Sequence, residues 1–131
     1  NLDRIAHKFE SARTIVPQPI VDVVEGASVG IISLGSNDPA IVEARDRLHD
    51  AGVETSYLRL RALPISQAVL DFIDRHEIVF VVENNYDGQL AKVLMADQPH
   101  VGSKLVSAAK CNGLPLSARW ITETVLERTD A

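Results

Sequence analysis

The sequence predicts a three-layer α/β/α sandwich built on a mostly parallel sheet. Three observations carry this. Ile78 to Val82 is an unbroken run of β-branched and aromatic residues. Such a run cannot keep one face in water, so it suits a strand buried on both faces, the central strand of the sheet. The polar stretch Glu83 to Gly88 then leads into Leu90, Ala91, Val93 and Leu94, which share one side of a helix. Strand, polar loop and helix make half of a βαβ unit. After a leading helix and strand, this unit recurs four times along the chain. Short links and right-handed crossovers then place helices on both faces of the sheet.

The elements follow in order. Leu2, Ile5, Phe9 and Ala12 form one stripe of a short helix, with Arg4, His7, Lys8 and Glu10 off it. A helix this short is marginal alone, so it needs something to lie against. Residues 17–131 read as the α/β domain, and residues 1–16 as a helix packed on it or, as the family resemblance given below implies, a linker helix. Pro17 and Pro19 impose extended backbone before them. Ile20, Val21, Val23 and Val24 form a strand whose included Asp22 suits a sheet edge. Ser28 to Ser33 is the first inner strand, and Gly35-Ser36-Asn37 its turn. Asp38-Pro39 predicts an N-cap and a proline at the first helical position. Ile41, Ala44, Leu48 and Ala51 mark the buried face, Glu43 pairs with Arg47, and Gly52 closes the helix.

Val53 to Leu60 is the next strand. Arg59 and Arg61 then share a face, either as an anion clamp or as partners of acidic neighbours. Ser66 is the expected cap of a helix with Val69, Leu70, Phe72 and Ile73 inside. Asp97 to Gly102 reads as a loop with Pro99, and Leu105 to Ala109 as the last strand. Asn112-Gly113 is a turn. Ser117 caps a final helix with Ala118, Ile121 and Val125 on one stripe, and the polar tail from Glu127 frays.

Bulk properties exclude several function classes. The 131 residues fit one domain with a sizeable core. A net charge of −5 argues against a nucleic-acid surface. No apolar run approaches the roughly 18 to 20 residues that span a bilayer. The single cysteine forms no internal disulfide, which fits a cytoplasmic setting.

Catalytic constellations are sparse. His7, His49, His76 and His100 lack metal-ligand spacing and all read as surface residues. Cys111 has no sequence-adjacent base and reads as structural. No catalytic, cofactor-binding or metal-binding residue is assigned. Glu83, at the end of the buried strand, is either a general base or a loop organiser that accepts backbone N–H bonds. Asn85 or Asp87 can cap the next helix. Asn84, Asn85 and Gln89 supply amides that satisfy loop backbone.

Four stretches together resemble a known family. Val82-Glu83-Asn84-Asn85, followed by Gly88-Gln89-Leu90, resembles the Glu-Gln-Asn…Gly-Gln-Leu signature of the 2-oxoacid:ferredoxin oxidoreductases. The similarity is to the carboxyl-terminal domain of their α subunit, in its 2-oxoglutarate branch, with Asn84 where Gln is commoner. Gly30 to Ser36 resembles the family's first parallel strand and Gly-Ser turn. Arg59 to Pro64 resembles its Leu-Arg-x-Leu-x-Pro segment, with Ile65 in place of a second proline. Lys110 to Pro115 resembles its Lys-Tyr-(Asp/Asn)-Gly-x-Pro, with Cys111 in place of the aromatic.

The resemblance implies a transketolase C-terminal-like fold of five strands, the first antiparallel at an edge. It also implies a parent enzyme that uses thiamine diphosphate, Mg²⁺, an iron–sulfur cluster and coenzyme A. The partners implied are the remaining α-subunit domains, a β subunit and ferredoxin. The chain itself would be a non-catalytic assembly domain without a cofactor. Gly35, Ser36, Glu83, Asn84, Asn85, Gly88 and Gln89 would organise loops or face another domain. Asp87-Gly88 follows Tyr86, so the Gly-Asp-Gly of thiamine enzymes is missing. The Leu2, Ile5, Phe9 stripe suggests that the isolated domain forms a homodimer. An alternative is a free-standing nucleotide or small-anion domain using Gly35-Ser36-Asn37 and Asn84 to Gln89.

Overall fold

The computed structural model describes residues 2–129, apart from the side chain of Phe9. Helix α1 (Leu2–Ile15) precedes the short edge strand β1 (Ile20–Asp22). Then come β2 (Val29–Leu34), α2 (Asp38–Asp50), β3 (Thr55–Leu60), α3 (Gln67–Arg75), β4 (Ile78–Glu83), α4 (Gln89–Asp97), β5 (Leu105–Ala109) and α5 (Ala118–Thr129). The sheet order is β1-β3-β2-β4-β5. Only β1 runs antiparallel, against β3; the other pairs are parallel.

Two cores follow from the period-2 alternation of strand side chains. Ile31, Tyr57, Phe80 and Ala108 face α2 and α5. Ile32, Leu58, Val79 and Val81 face α3 and α4. Gly30 lets α3 approach closely, because a Cβ there would lie 2.8 Å from the Phe72 ring. Arg13 ties α1 down. It donates to the Ile65 carbonyl and to both carboxylate oxygens of Asp97. Leu2 and Ile5 remain exposed.

Several expectations change. The central strand is β2, not Ile78 to Val82, because β4 is followed by β5 while β3 and β1 lie on the far side. Strand β4 is still buried on both faces, with helices over each. Asn37, not Asp38, holds the N-cap position of α2. Asp38 instead accepts a 2.9 Å hydrogen bond from the Tyr57 hydroxyl. Burial, and then that bond, push the Tyr57 pKa above the ordinary tyrosine range. Ala51 and Val93 face outward.

Asp97 ends α4, and Pro99–Lys104 forms a 3-10 turn rather than a plain loop. The final helix continues through Thr129 instead of fraying from Glu127. His76 is not a surface residue. It is buried between α3 and β2, with its ring on Phe72 and Nδ1 at the Phe72 carbonyl. Arg59 and Arg61 make no ion pair among the described residues.

Candidate functional site

The chain leaves β2 to build β3 on one side, then crosses back to build β4 on the other. At such a switch point the two outgoing connections diverge and leave a crevice at the carboxyl ends of the strands. A cleft of about 370 Å³ lies there. Gly35, Ser36 and Asn37 line it from the loop after β2. Glu83 lines it from β4, Asn84 and Asn85 from the loop that follows, and Gln89 from the first position of α4. The fold therefore brings together residues almost fifty positions apart in sequence. Gly88 belongs to the same loop but does not line the cleft.

Glu83 is buried and shares its face with Val79 and Val81, so it points toward α4. One carboxylate oxygen accepts the Leu90 N–H and the Asn85 side-chain amide; the other accepts the Ala91 N–H. Asn85 Oδ1 accepts the N–H groups of Gly88 and Gln89, at 2.8 and 3.3 Å. These two side chains satisfy four backbone donors at the start of α4, which no helical carbonyl can reach. The Glu83 carboxylate also meets the positive end of the helix dipole. Gly88 is required for two reasons. Its φ of +60° favours glycine, and a Cβ would fall 2.4 Å from Ser107 Oγ.

The loop after β2 is tied to β4 independently. Ser33 Oγ donates to the Val82 carbonyl at 2.9 Å and accepts from Asn37 Nδ2 at 3.3 Å. Asn84 Nδ2 reaches the Leu114 carbonyl, linking the cleft rim to the loop before α5. Leu34, Leu63, Leu90 and Val93 supply the apolar wall.

No lysine, arginine or histidine lines this cleft, and both oxygens of its one carboxylate accept from N–H donors. It can hold an apolar group and satisfy amides, but it presents neither a free base nor a cation. Sequence reasoning missed Leu34, Leu63 and Val93 as cleft residues. Helical periodicity placed Val93 inside, and only its exposure reverses that. Arg59 and Arg61 do not line the cleft. His7, His49 and His100 are exposed, and Cys111 is a free, half-buried thiol. No group of three candidate metal ligands occurs among the described residues.

No protein-family model matches the chain. Among curated proteins it is similar to 2-oxoacid:ferredoxin oxidoreductase 2, subunit alpha, of Aeropyrum pernix, 36% identical over 115 residues. The α subunit of oxidoreductase 1 from the same organism is 32% identical over 107 residues. These alignments include 83% and 79% of this chain, which spans 17% and 16% of the relatives' lengths. A solved 2-oxoglutarate:ferredoxin oxidoreductase from Magnetococcus marinus superposes with a TM-score of 0.77 at 31% identity, over 90% of this chain and 21% of that one.

The chain is a homologue of one segment of the 2-oxoacid:ferredoxin oxidoreductase α subunit. The α/β fold is common to this chain and the Magnetococcus enzyme. The α chain of a probable 2-oxoacid ferredoxin oxidoreductase from Thermoplasma acidophilum shares the fold at a TM-score of 0.55 and 18% identity. That likeness covers 98% of the Thermoplasma chain, so the fold also makes up nearly all of a separately crystallised chain. No helix among the described residues is long and apolar enough to cross a membrane.

Proposed function

We propose that this chain is the carboxyl-terminal, non-catalytic assembly domain of the α subunit of a thiamine-diphosphate-dependent 2-oxoacid:ferredoxin oxidoreductase. That enzyme would oxidatively decarboxylate a 2-oxoacid to acyl-coenzyme A in the cytoplasm and pass electrons to ferredoxin. The observation that carries the non-catalytic role is the state of Glu83. Its two oxygens accept from the start of α4 and from Asn85, which supports a role as organiser of the loop. Solved 2-oxoglutarate enzyme structure resembles this chain over most of its length, which favours 2-oxoglutarate as the substrate of the parent.

The residues present do not fit the parent's cofactors. One cysteine cannot hold an iron–sulfur cluster, which takes about four thiolates. Asp87-Gly88 lacks the preceding glycine of a thiamine motif, and Gly88 is packed against Ser107. The alternative reading, a nucleotide or small-anion site, loses support from the cleft itself. Glu83 already occupies the amino terminus of α4, and no cation lines the cavity. Residues 1–16 serve as the linker helix, with exposed Leu2 and Ile5 covered by the remaining α-subunit domains. The cleft loops form a further contact with those domains.

Calorimetric titration of the chain with thiamine diphosphate and Mg²⁺ tests this. No binding heat is expected. Micromolar binding, lost in Asp87→Ala, would overturn the assembly role.

A further inference from the structure

We propose that Asn112-Gly113 is a self-modification site, where the chain deamidates through a succinimide and loosens the tie between the loop before α5 and the cleft rim. This rests on that loop alone and is independent of the enzyme to which the chain belongs. Asparagine is a thermally labile residue. Its side chain, or that of aspartate, cyclises when the next peptide nitrogen is free to attack it. A β-carbon on the following residue hinders the attack, so glycine is the favoured successor. Two dipeptides qualify, Asp87-Gly88 and Asn112-Gly113; every other asparagine or aspartate precedes a residue with a side chain. The structure separates the two. The Gly88 N–H is held by Asn85 Oδ1 at 2.8 Å, and a Cβ there would fall 2.4 Å from Ser107 Oγ, so this peptide is locked in place. Among the described residues the Gly113 N–H makes no hydrogen bond, and nothing lies within 4 Å of where its Cβ would be. Asn112 and Gly113 are both exposed, so water reaches the peptide.

The Asn112 side chain is already folded back on its own backbone. Its Oδ1 accepts the Leu114 N–H at 3.1 Å, an Asx turn whose ring encloses the Gly113 nitrogen. Hydroxide takes the Gly113 amide proton, and the nitrogen bonds to Asn112 Cγ. The Cγ–Nδ2 bond then breaks, and ammonia leaves with a proton from water. A second water opens the five-membered ring. Opening at Cγ leaves aspartate. Opening at the Asn112 main-chain carbonyl leaves isoaspartate, with the backbone rerouted through Cβ and Cγ. Water is the only reagent consumed. Rerouting breaks the Asx turn. The Leu114 carbonyl accepts from Asn84 Nδ2 at 3.4 Å, so the change reaches the cleft rim.

The whole chain is aged in warm, mildly alkaline buffer. Peptide mapping by mass spectrometry follows the gain of about one mass unit. A protein isoaspartyl methyltransferase with labelled S-adenosylmethionine counts the isoaspartate. The gain is expected in the peptide that contains Asn112, at least tenfold ahead of any other asparagine. Gly113→Ala should slow it at least tenfold, and Asn112→Gln should abolish it. In the aged chain the Asn84 side-chain amide resonances should shift in step with the isoaspartate fraction. No gain at Asn112, an equal gain at Asn85, or an unchanged rate in Gly113→Ala would overturn the proposal. So would isoaspartate forming at Asp87-Gly88 as fast as at Asn112, or Asn84 resonances that stay in place while isoaspartate accumulates.

Discussion

The amino termini of α3 and α4 lie over the same face of the sheet and solve the same problem in opposite ways. Both start nine-residue helices. At α4, four N–H donors are taken up by Glu83 and Asn85, one of which lies in the preceding strand. At α3 the cap position carries Ser66, a residue type well suited to capping, yet its buried hydroxyl has no partner. The reason is local. The Val69 N–H, which a capping hydroxyl would normally accept, is bonded to the Ser66 carbonyl at 3.1 Å. A tight first turn has replaced the side-chain cap. The difference teaches that stability at this end of the sheet is concentrated in one carboxylate rather than shared among helix starts.

Substitutions at the two ends test that contrast. Glu83→Ala should be the most damaging. It leaves the Leu90 and Ala91 N–H groups buried without acceptors, at a cost of about 3 kcal/mol. Thermal unfolding should fall by roughly 10 °C. A loss below a third of that would mean that water or backbone replaces the carboxylate. Gly88→Ala should cost about 2 kcal/mol, from positive φ and the approach to Ser107. The double variant with Ser107→Gly should recover part of this in denaturant titration, because it removes the obstructing hydroxyl.

The start of α2 offers a contrast of intermediate size. Tyr57 is held neutral by burial and by its bond to Asp38, so its folded pKa lies above the unfolded value. The stability this provides is fully present below about pH 10 and declines as pH rises beyond it. Tyr57→Phe should lose about 1 kcal/mol at neutral pH and flatten the alkaline decline in urea titrations. The smallest effect is expected at the other end of the comparison. Ser66→Ala removes a hydroxyl that bonds to nothing, so stability should change by less than about 0.5 kcal/mol in either direction. A large loss there would show that the hydroxyl has a partner in solution.

Ser66 and Ser117 show how far local signals reach. Both stand three residues before a backbone N–H at a helix start. Ser117 caps, accepting from Trp120 at 3.1 Å, and Ser66 does not. The residue type was legible in each case; the geometry of the first turn was not. His76 makes the same point. Polar sequence neighbours read as surface, but the missing side chain of Gly30 opens room for the ring beneath α3. Val93 errs the other way, because the switch-point crevice removes the neighbours that would have covered it.

By itself the sequence determined the strand–helix alternation, the buried run of β4, and the motif residues Glu83, Asn84, Asn85, Gly88 and Gln89. The alternation and the buried run follow from side-chain period and turn chemistry, which act over a few residues, and the motif stands out through its family resemblance. Tertiary structure decided that β2 is the central strand, that the loops after β2 and β4 share one cleft, and that Glu83 is spent on the start of α4. Each of these depends on strand order and on hydrogen bonds that close across the fold, which no local pattern encodes.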